Sequence, residues 1–395
     1  MQTQVLPYLR EIAQSGIEVE LLTFEPGWPS SWTREDTVLW RDQLSSTGIV
    51  WHAMAYHKRP SLPATLFDIL AGAFKTVELT RRRGVNVYHA RGYVPAVMAA
   101  LANSITGAKL IFDIRGFMPE EYVDAGVWTE NGLIFRLAKA AEQWLLRKAD
   151  GFVVLTEKAK EILFPGSLDR DSEDKPIEII PCCVDSGRFS PAETYSKLQR
   201  KRDLGLEGRF VIAYVGALGG WYLTREMADF FRAARIQDPS IFPVIFTQSN
   251  PELIAGYLRT MGFTEADYLI RRIDPDELPD YLMACDAAIS FIKPCYSKLS
   301  SSPTKIAEYL AAGLPIISNS GIGDLDDQLT QDRVGVVIEK LDQEEYKKAL
   351  AEIKQMINET DLAERCQRTA KKRFDLKTVG GPAYIRLYRR LKTGE

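Results

Sequence analysis

The sequence predicts an α/β protein built from two doubly wound domains facing a cleft. Three observations predict it. Short apolar runs alternate with longer helical patterns along the whole chain, as in strand–helix–strand units. Most of those runs are apolar at nearly every position, as strands covered on both faces of a parallel sheet must be. Strong strands then vanish between residues 181 and 208, leaving two sets, each large enough for one domain. A length of 395 residues allows two to three domains of ordinary size.

In chain order, the first set of strands is 18–23 (EVELLT), 49–53, 85–89 (VNVYH), 109–113 (KLIFD), 151–155 (GFVVL) and 177–180. The second set is 209–215 (RFVIAYV), 242–246 (FPVIF), 287–291 (AAISF), 314–318 (LPIIS) and 335–338 (GVVI). Helical patterns fall at 135–148, 223–234, 279–284, 303–312, 344–358 and 363–374. The stretch 181–208 is polar, charged and turn-rich, and reads as an interdomain connection. The expected boundaries are a first domain at 1–190, a linker at 191–208, a second domain at 209–378 and a C-terminal helix at 379–395. In that last helix Tyr384, Leu387, Tyr388 and Leu391 share one side, a face able to pack back on the first domain. The start, MQTQVLPYLREIAQSG, is an amphipathic helix pattern ahead of any strand. A doubly wound domain normally opens with a central strand and a glycine-rich turn. The first strand of the N-terminal domain is therefore expected to be missing from this chain.

Composition removes several function classes. Lys and Arg total 50 against 53 for Asp and Glu, a net charge of −3, which argues against a nucleic-acid binder. The three histidines, His52, His57 and His89, could supply at most one catalytic triad. The five cysteines, Cys182, Cys183, Cys285, Cys295 and Cys366, are too few and too scattered for a structural zinc site. Their odd number and spacing are no disulfide framework either, so a reducing, cytoplasmic compartment is expected. No signal-peptide pattern opens the chain. The nearest approach to a membrane span, 62–79, is interrupted by Asp68, Lys75 and Glu78.

The most informative segment is Lys293 to Asp324, KPCYSKLSSSPTKIAEYLAAGLPIISNSGIGD. Ser302 suits an N-cap, Pro303 the first helical position, and Gly313 the position just past the end. A short helix at 303–312 then feeds the next strand. Its free amides near Ser302, Thr304 and Lys305, with the positive end of the helix dipole, make an anion site. Lys305 adds a mobile cation suited to phosphate. Glu308, one turn on, can accept two hydrogen bonds from a ribose diol. Together these groups describe a nucleotide-diphosphate site. A plain capped helix carrying a surface Lys–Glu pair accounts for the same residues.

SPTKIAEYLAAGLPIISNSGIGD resembles the donor-binding segment of GT-B type glycosyltransferases, specifically glycosyltransferase family 4. So do LTEKAKEIL, IIPCCVDSGRFSP, YVGALGGWY and DELPDYLMACDAAISFI, so the likeness spans nearly the whole chain. It implies two Rossmann-like domains, with a nucleotide-sugar donor on the second and an acceptor on the first. It also implies retention of anomeric configuration. Two departures stand out. The family commonly has two Glu separated by seven residues; Glu308 matches the second, and the first position holds Ser300. The family's diphosphate-gripping Arg and Lys are also absent from the loop Gly216-Ala217-Leu218-Gly219-Gly220-Trp221-Tyr222. Backbone amides around Gly216, Gly219 and Gly220 can still face phosphate, with Lys293 and Lys305 supplying charge. A tight turn is the other use of such a glycine pair.

On the acceptor side, two strand-end loops resemble family segments lining the cleft near the reacting sugar. One carries His89, Arg91 and Gly92; the other carries Asp113, Arg115 and Gly116, then Glu120 and Glu121. Arg91 or Arg115 could neutralise the leaving diphosphate. Asp113, Glu120 or Glu121 could orient or deprotonate the acceptor hydroxyl. Against this, Asp113 and Arg115 could simply pair with each other, and His89 could be a satisfied strand-end residue.

The acidic pair Asp274 and Asp276 more readily caps a helix than holds a metal, so no metal and no cofactor beyond the co-substrate is expected. Lys58, Arg59 and Arg81 to Arg83 flank the apolar stretch 62–79. Such a patch can make a peripheral contact with anionic lipid at the inner face of a membrane. A solvated basic face over a core helix is the commoner arrangement. Three functions therefore stand at this level. The first is transfer of a sugar to a glycan or lipid-linked acceptor in cell-surface polysaccharide or glycoconjugate synthesis. The others are a catalytically inactive sugar-nucleotide-binding or scaffold subunit, and a sugar-nucleotide epimerase.

Overall fold

The computed structural model describes residues 4–166, 175–189 and 197–393. Part of the expected linker, 191–196, lies outside the described residues. The chain forms two compact units. The first runs to Ile180 and resumes at Gly380; the second runs from Pro181 to Val379.

The first unit holds β1 (Val19–Pro26), β2 (Ile49–Tyr56), β3 (Val87–Arg91), β4 (Lys109–Asp113), β5 (Gly151–Val154) and β6 (Ile177–Ile179). All its pairings are parallel, but the strands fall into two sheets, β1-β2 and β3-β4-β5-β6. The break comes where the chain leaves one run of adjacent strands and begins the next. The helix Ser61–Arg83 makes that crossing, and on it Gly72 admits Phe24 of β1 and Met98 of the next helix so closely that a Cβ would collide with both. The two-stranded sheet has its own small core of Leu6, Leu44, Ile49 and Trp51, walled by Trp28 and Trp32. Trp51 donates to the Thr23 hydroxyl (2.8 Å), tying β2 to β1 through side chains as well as backbone. The C-terminal helix Gly381–Thr393 belongs to this unit. Its Tyr384 and Leu387 are fully buried, Tyr384 meets Tyr8 edge to face, and Arg386 pairs with Glu178 on β6.

The second unit holds β7 (Phe210–Val215), β8 (Ile241–Phe246), β9 (Leu269–Arg271), β10 (Ala287–Ser290), β11 (Ile316–Asn319) and β12 (Gly335–Ile338). They form one parallel sheet in the order β12-β11-β10-β7-β8-β9. β9 has no counterpart in the sequence reading, since three residues ending in Arg271 carry no strand pattern. Helices on this sheet, such as Thr224–Gln237 and Gln343–Ile357, bury aromatic side chains in one shared core. There Phe230 packs edge-on to both Phe291 and Tyr346. The winding runs outward from β7 to β9, then returns across β7 to β10. The loops after β7 and β10 therefore flank the switch point, where open α/β sheets bind ligands.

One expectation holds for only part of its length. The stretch 62–79 is a core helix at its end, where Val77 and Leu79 are buried. From Leu62 to Phe74 it is Ala64, Asp68, Gly72 and Ala73 that turn inward, while Leu62, Leu66, Phe67, Leu70 and Phe74 turn out. The small residues there allow close packing on the neighbouring helix and leave those large ones no room inside. Among the described residues, no helix is long and apolar enough to cross a membrane.

Candidate active site

The segment after β10 forms a 3-10 turn, Tyr296–Ser300, and then the helix Thr304–Ala311. The helix begins one residue later than the sequence suggests, with Pro303 as its N-cap and no side-chain cap. Ser302 does not cap it. Its hydroxyl instead accepts from the amide of Cys182 (3.1 Å), tying this segment to the stretch that opens the second unit. Tyr309, fully buried, fixes the helix against β7: its hydroxyl accepts from the amide of Val215 (2.7 Å).

That anchoring turns Lys305 inward. Lys305 is only 6% exposed, so it is no mobile surface cation. Its Nζ lies 4.1 Å from the centre of the Tyr214 ring and 4.2 Å from that of Tyr222. Cation–π contact is its main compensation, because Nζ has no hydrogen-bond partner among the described residues. Burial pulls its ammonium down to about 7, with Glu308 opposing. Burial likewise pushes the Glu308 carboxyl up to about 7, against the pull of Arg188 and Lys305. Gly216 is the residue that admits Lys305, since a Cβ there would sit 2.9 Å from Nζ. Its φ of +135° also suits glycine alone.

The glycine loop is tied down more than its sequence suggests. The amide of Gly216 donates to Phe246, that of Leu218 to the Ser249 hydroxyl, and that of Gly219 to the Thr224 hydroxyl. Those three amides are therefore not available to phosphate. Gly219 and Gly220 are both left-handed, at φ +74° and +60°, and make the tight turn. The turn presents Trp221, whose ring lies 4.0 Å from Nζ of the buried Lys298. Lys293 is exposed, and its backbone amide donates to Trp221 (2.8 Å). Thr304 is half-buried in the first helical turn. Ser300, where the family has its first Glu, is buried and its hydroxyl donates to the Ser297 carbonyl (2.7 Å). The structure thus gathers Gly216, Lys305 and Glu308 and adds Lys298, Tyr214, Trp221 and Tyr222. The three aromatics were visible in the sequence as residues in or beside a glycine loop. Their role as platforms for lysines brought from elsewhere was not.

In the first unit the ends of β3 and β4 converge on Asp113, which is completely buried. His89 Nε2 lies 3.3 Å from its carboxylate, Arg91 3.6 Å and Arg115 3.5 Å, and the Tyr384 hydroxyl donates to it (2.9 Å). Burial alone would raise the Asp113 pKa, but Arg115, His89 and Arg91 hold it below the usual carboxylate range. Asp113 is therefore a buried, paired anchor that is charged at neutral pH, and no acceptor base. His89 is satisfied on both sides, with Nδ1 bonded to the Tyr388 hydroxyl (2.7 Å), so neither ring nitrogen faces a substrate. Glu120 pairs with Lys139, which also holds the buried Glu142. Glu121 lies over Gly116, where a Cβ would come within 3.2 Å of its carboxylate. Arg91, Arg115 and Glu121 are the partly exposed groups left at this strand end. Tyr384 and Tyr388 were legible as one helix face, but their destination was not. Among the described residues no group of three or more His, Cys, Asp or Glu is placed to hold a metal ion.

Comparison with known proteins bears on the family and the fold. Residues 1–173 match the family described as Glycosyl transferase 4-like domain, and residues 198–373 match Glycosyl transferases group 1. The 2-deoxystreptamine glucosyltransferase of Streptomyces kanamyceticus is 24% identical over 347 residues, covering 83% of this chain and 82% of its own. Anabaena Alr3699/HepE, solved in complex with UDP, superposes with a TM-score of 0.70 at 15% identity, over 97% of this chain and 96% of that one. Sucrose-phosphate synthase from Thermosynechococcus elongatus gives a TM-score of 0.72 at 15% identity, over 98% and 92%. At such identities these two structures speak to the fold alone. The two family matches together take in most of the chain, and the protein is a glycosyltransferase of the GT-B fold, with a glycosyl transferase 4-like domain over residues 1–173 and a glycosyl transferases group 1 domain over 198–373.

Proposed function

We propose that this enzyme moves a sugar from a nucleotide-diphosphate sugar to a glycan or lipid-linked acceptor, with retention and without a metal. The work belongs to cell-surface polysaccharide or glycoconjugate synthesis, performed in the cytoplasm with a peripheral station at the membrane. One observation carries the donor half of this reading. A buried ammonium, Lys305, has ring faces but no hydrogen-bond acceptor, at the switch point of a doubly wound sheet. A buried cation without an anion is costly, and a diphosphate is the ligand that would relieve it. Lys305 and Lys298 then stand in for the Arg and Lys that the glycine loop lacks. They meet the charge that develops on the leaving diphosphate, the largest electrostatic demand of the reaction. Glu308, one turn along the same helix, takes the ribose diol. Arg91 and Arg115, held in place through Asp113, serve the acceptor together with Glu121.

Titration calorimetry tests the donor half. UDP is the first probe, because the structural neighbour HepE was solved with it; GDP and ADP follow. Lys305→Met keeps the volume and removes the charge. Losing one charge-assisted contact should weaken binding about ten- to a hundredfold. If no nucleoside diphosphate binds, or the variant binds as tightly as the parent, the donor site lies elsewhere. Anomeric NMR of the product of a competent turnover reads retention directly.

A further inference from the structure

The Ser61–Arg83 helix is inverted relative to an ordinary surface helix. Its acid, Asp68, is buried, receiving the backbone amide of His57 (3.0 Å) and bonding the His57 ring (2.6 Å). Over its first half the largest apolar residues face out, and only toward its end do Val77 and Leu79 turn in. Leu62, Leu66, Phe67, Leu70 and Phe74 are between 58% and 74% exposed. Leu62, Leu66, Leu70 and Phe74 follow at steps of four, so they form one continuous ridge about 18 Å long. Phe67 lies beside it.

The charge around the ridge is one-sided. From His57 to Phe74 the ionisable side chains are His57, Lys58, Arg59 and Asp68. With Asp68 turned inward, only basic groups reach the surface there, and Lys58 and Arg59 are both exposed. At the far end Lys75 and Arg82 pair with Glu78, and Arg83 with Glu20, while Arg81 is exposed. Five side chains two-thirds exposed offer about 500 Å² of apolar surface. A stable dimer needs roughly 800 Å² from each partner, so the ridge is small for self-association. It is long and narrow, with cations at its end, which fits an interfacial helix lying in the headgroup region of an anionic bilayer.

We propose that this helix is the face by which the protein docks on an anionic membrane. Leu62, Leu66, Phe67, Leu70 and Phe74 enter the boundary between headgroups and acyl chains, and Lys58 and Arg59 meet lipid phosphates. The proposal rests on the peripheral-membrane part of the function proposed above and is independent of the donor site.

The test is co-sedimentation with vesicles of phosphatidylcholine alone or with one third phosphatidylglycerol, at low and high salt. The parent should bind the anionic vesicles at least tenfold more tightly than the neutral ones, with the preference fading in salt. Leu70→Gln with Phe74→Gln should lose at least tenfold on both vesicle types. Lys58→Glu with Arg59→Glu should lose the anionic preference while keeping the residual neutral binding. Both pairs lie outside the packed face, and unchanged melting temperatures would show that the fold is intact. UDP calorimetry on the same preparations reads the donor site separately and should not change with any of these variants. Parent protein that ignores anionic vesicles overturns the proposal, as does a Leu70→Gln, Phe74→Gln variant that binds them equally well. So does a ridge variant whose only effect is to dissociate a dimer in sedimentation velocity, which would make the ridge a contact between copies.

Discussion

The two units each bury a charge at a strand end, and they treat it in opposite ways. In the first, Asp113 is enclosed by two arginines, a histidine and a tyrosine hydroxyl. In the second, Lys305 is enclosed by two tyrosine rings and receives no hydrogen-bonding partner among the described residues. The sheets differ in the same sense. The first unit divides its strands between two sheets, and polar side chains such as Asp113 and Tyr384 tie its strand ends to the terminal helix. The second has one unbroken sheet and a single large core, firm enough to hold a charge in an unfavourable place. A fully paired buried charge is scaffold, whereas an unpaired one is strain that a ligand of opposite sign relieves.

The largest effect should come from breaking the paired charge. Asp113→Ala leaves Arg91, Arg115 and His89 crowded without their acid, and should cost about 3–5 kcal/mol in urea unfolding. Asp113→Asn keeps an acceptor for Tyr384 and should cost less. The sign with pH follows from the lowered Asp113 pKa. Its stabilisation is complete above the ordinary aspartate value, near 4, and is lost as the pH falls toward the lower folded-state value. An Asp113→Ala protein within about 1 kcal/mol of the parent would remove the scaffold role.

Breaking the unpaired charge should do the reverse. Lys305→Met removes a cation that burial has already pulled down to about 7. The same substitution that weakens UDP should therefore stabilise the apo protein, by about 2–4 kcal/mol at pH 6. Between pH 7 and about 10 the unfolded chain holds more protons on this lysine than the folded one does, so the parent gains stability as the pH rises. The gap between parent and variant should close over that range. A variant that is less stable than the parent at pH 6 would mean that Lys305 is already neutralised by the fold.

What the sequence disclosed and what it hid divide along a physical line. Strands such as 109–113 and 335–338 were legible to the residue, because each centres on an unbroken apolar run, Leu110 to Phe112 and Val336 to Ile338. Pairing partners leave no such trace, so the division into the sheets β1-β2 and β3-β4-β5-β6 was not legible. Pro303 and Gly313 marked the short helix well, but the assignment of Ser302 as its cap failed, because the competing donor, Cys182, lies 120 residues away. The residues of the segment 293–324 were legible as a set; the inward turn of Lys305 was not, since it depends on Tyr214 and Tyr222 arriving from elsewhere in the chain, and on Tyr309 of its own helix meeting the amide of Val215. The Ser61–Arg83 helix shows the same limit. The sequence showed an apolar stretch with basic flanks, and only packing at Gly72 reveals which of its residues face out.

The smallest effect concerns Glu308, and it needs a ratio to be seen. Glu308 and Lys305 lie one turn apart and both titrate near 7, so any change at Glu308 also changes the charge on Lys305. Glu308→Gln should therefore weaken every diphosphate at pH 8, ribose or no ribose. Measuring UDP and inorganic pyrophosphate side by side removes that shared part, as in a double-mutant cycle. What remains in the ratio of the two affinities is the contact with the nucleoside. At pH 6 the carboxyl is largely protonated and glutamine is a fair copy, so the ratio should change less than about twofold. At pH 8 the carboxylate accepts both diol protons and glutamine accepts only one well, so the ratio should fall about tenfold. A ratio that stays constant across this range would separate Glu308 from the ribose and leave it as a partner of Lys305 alone.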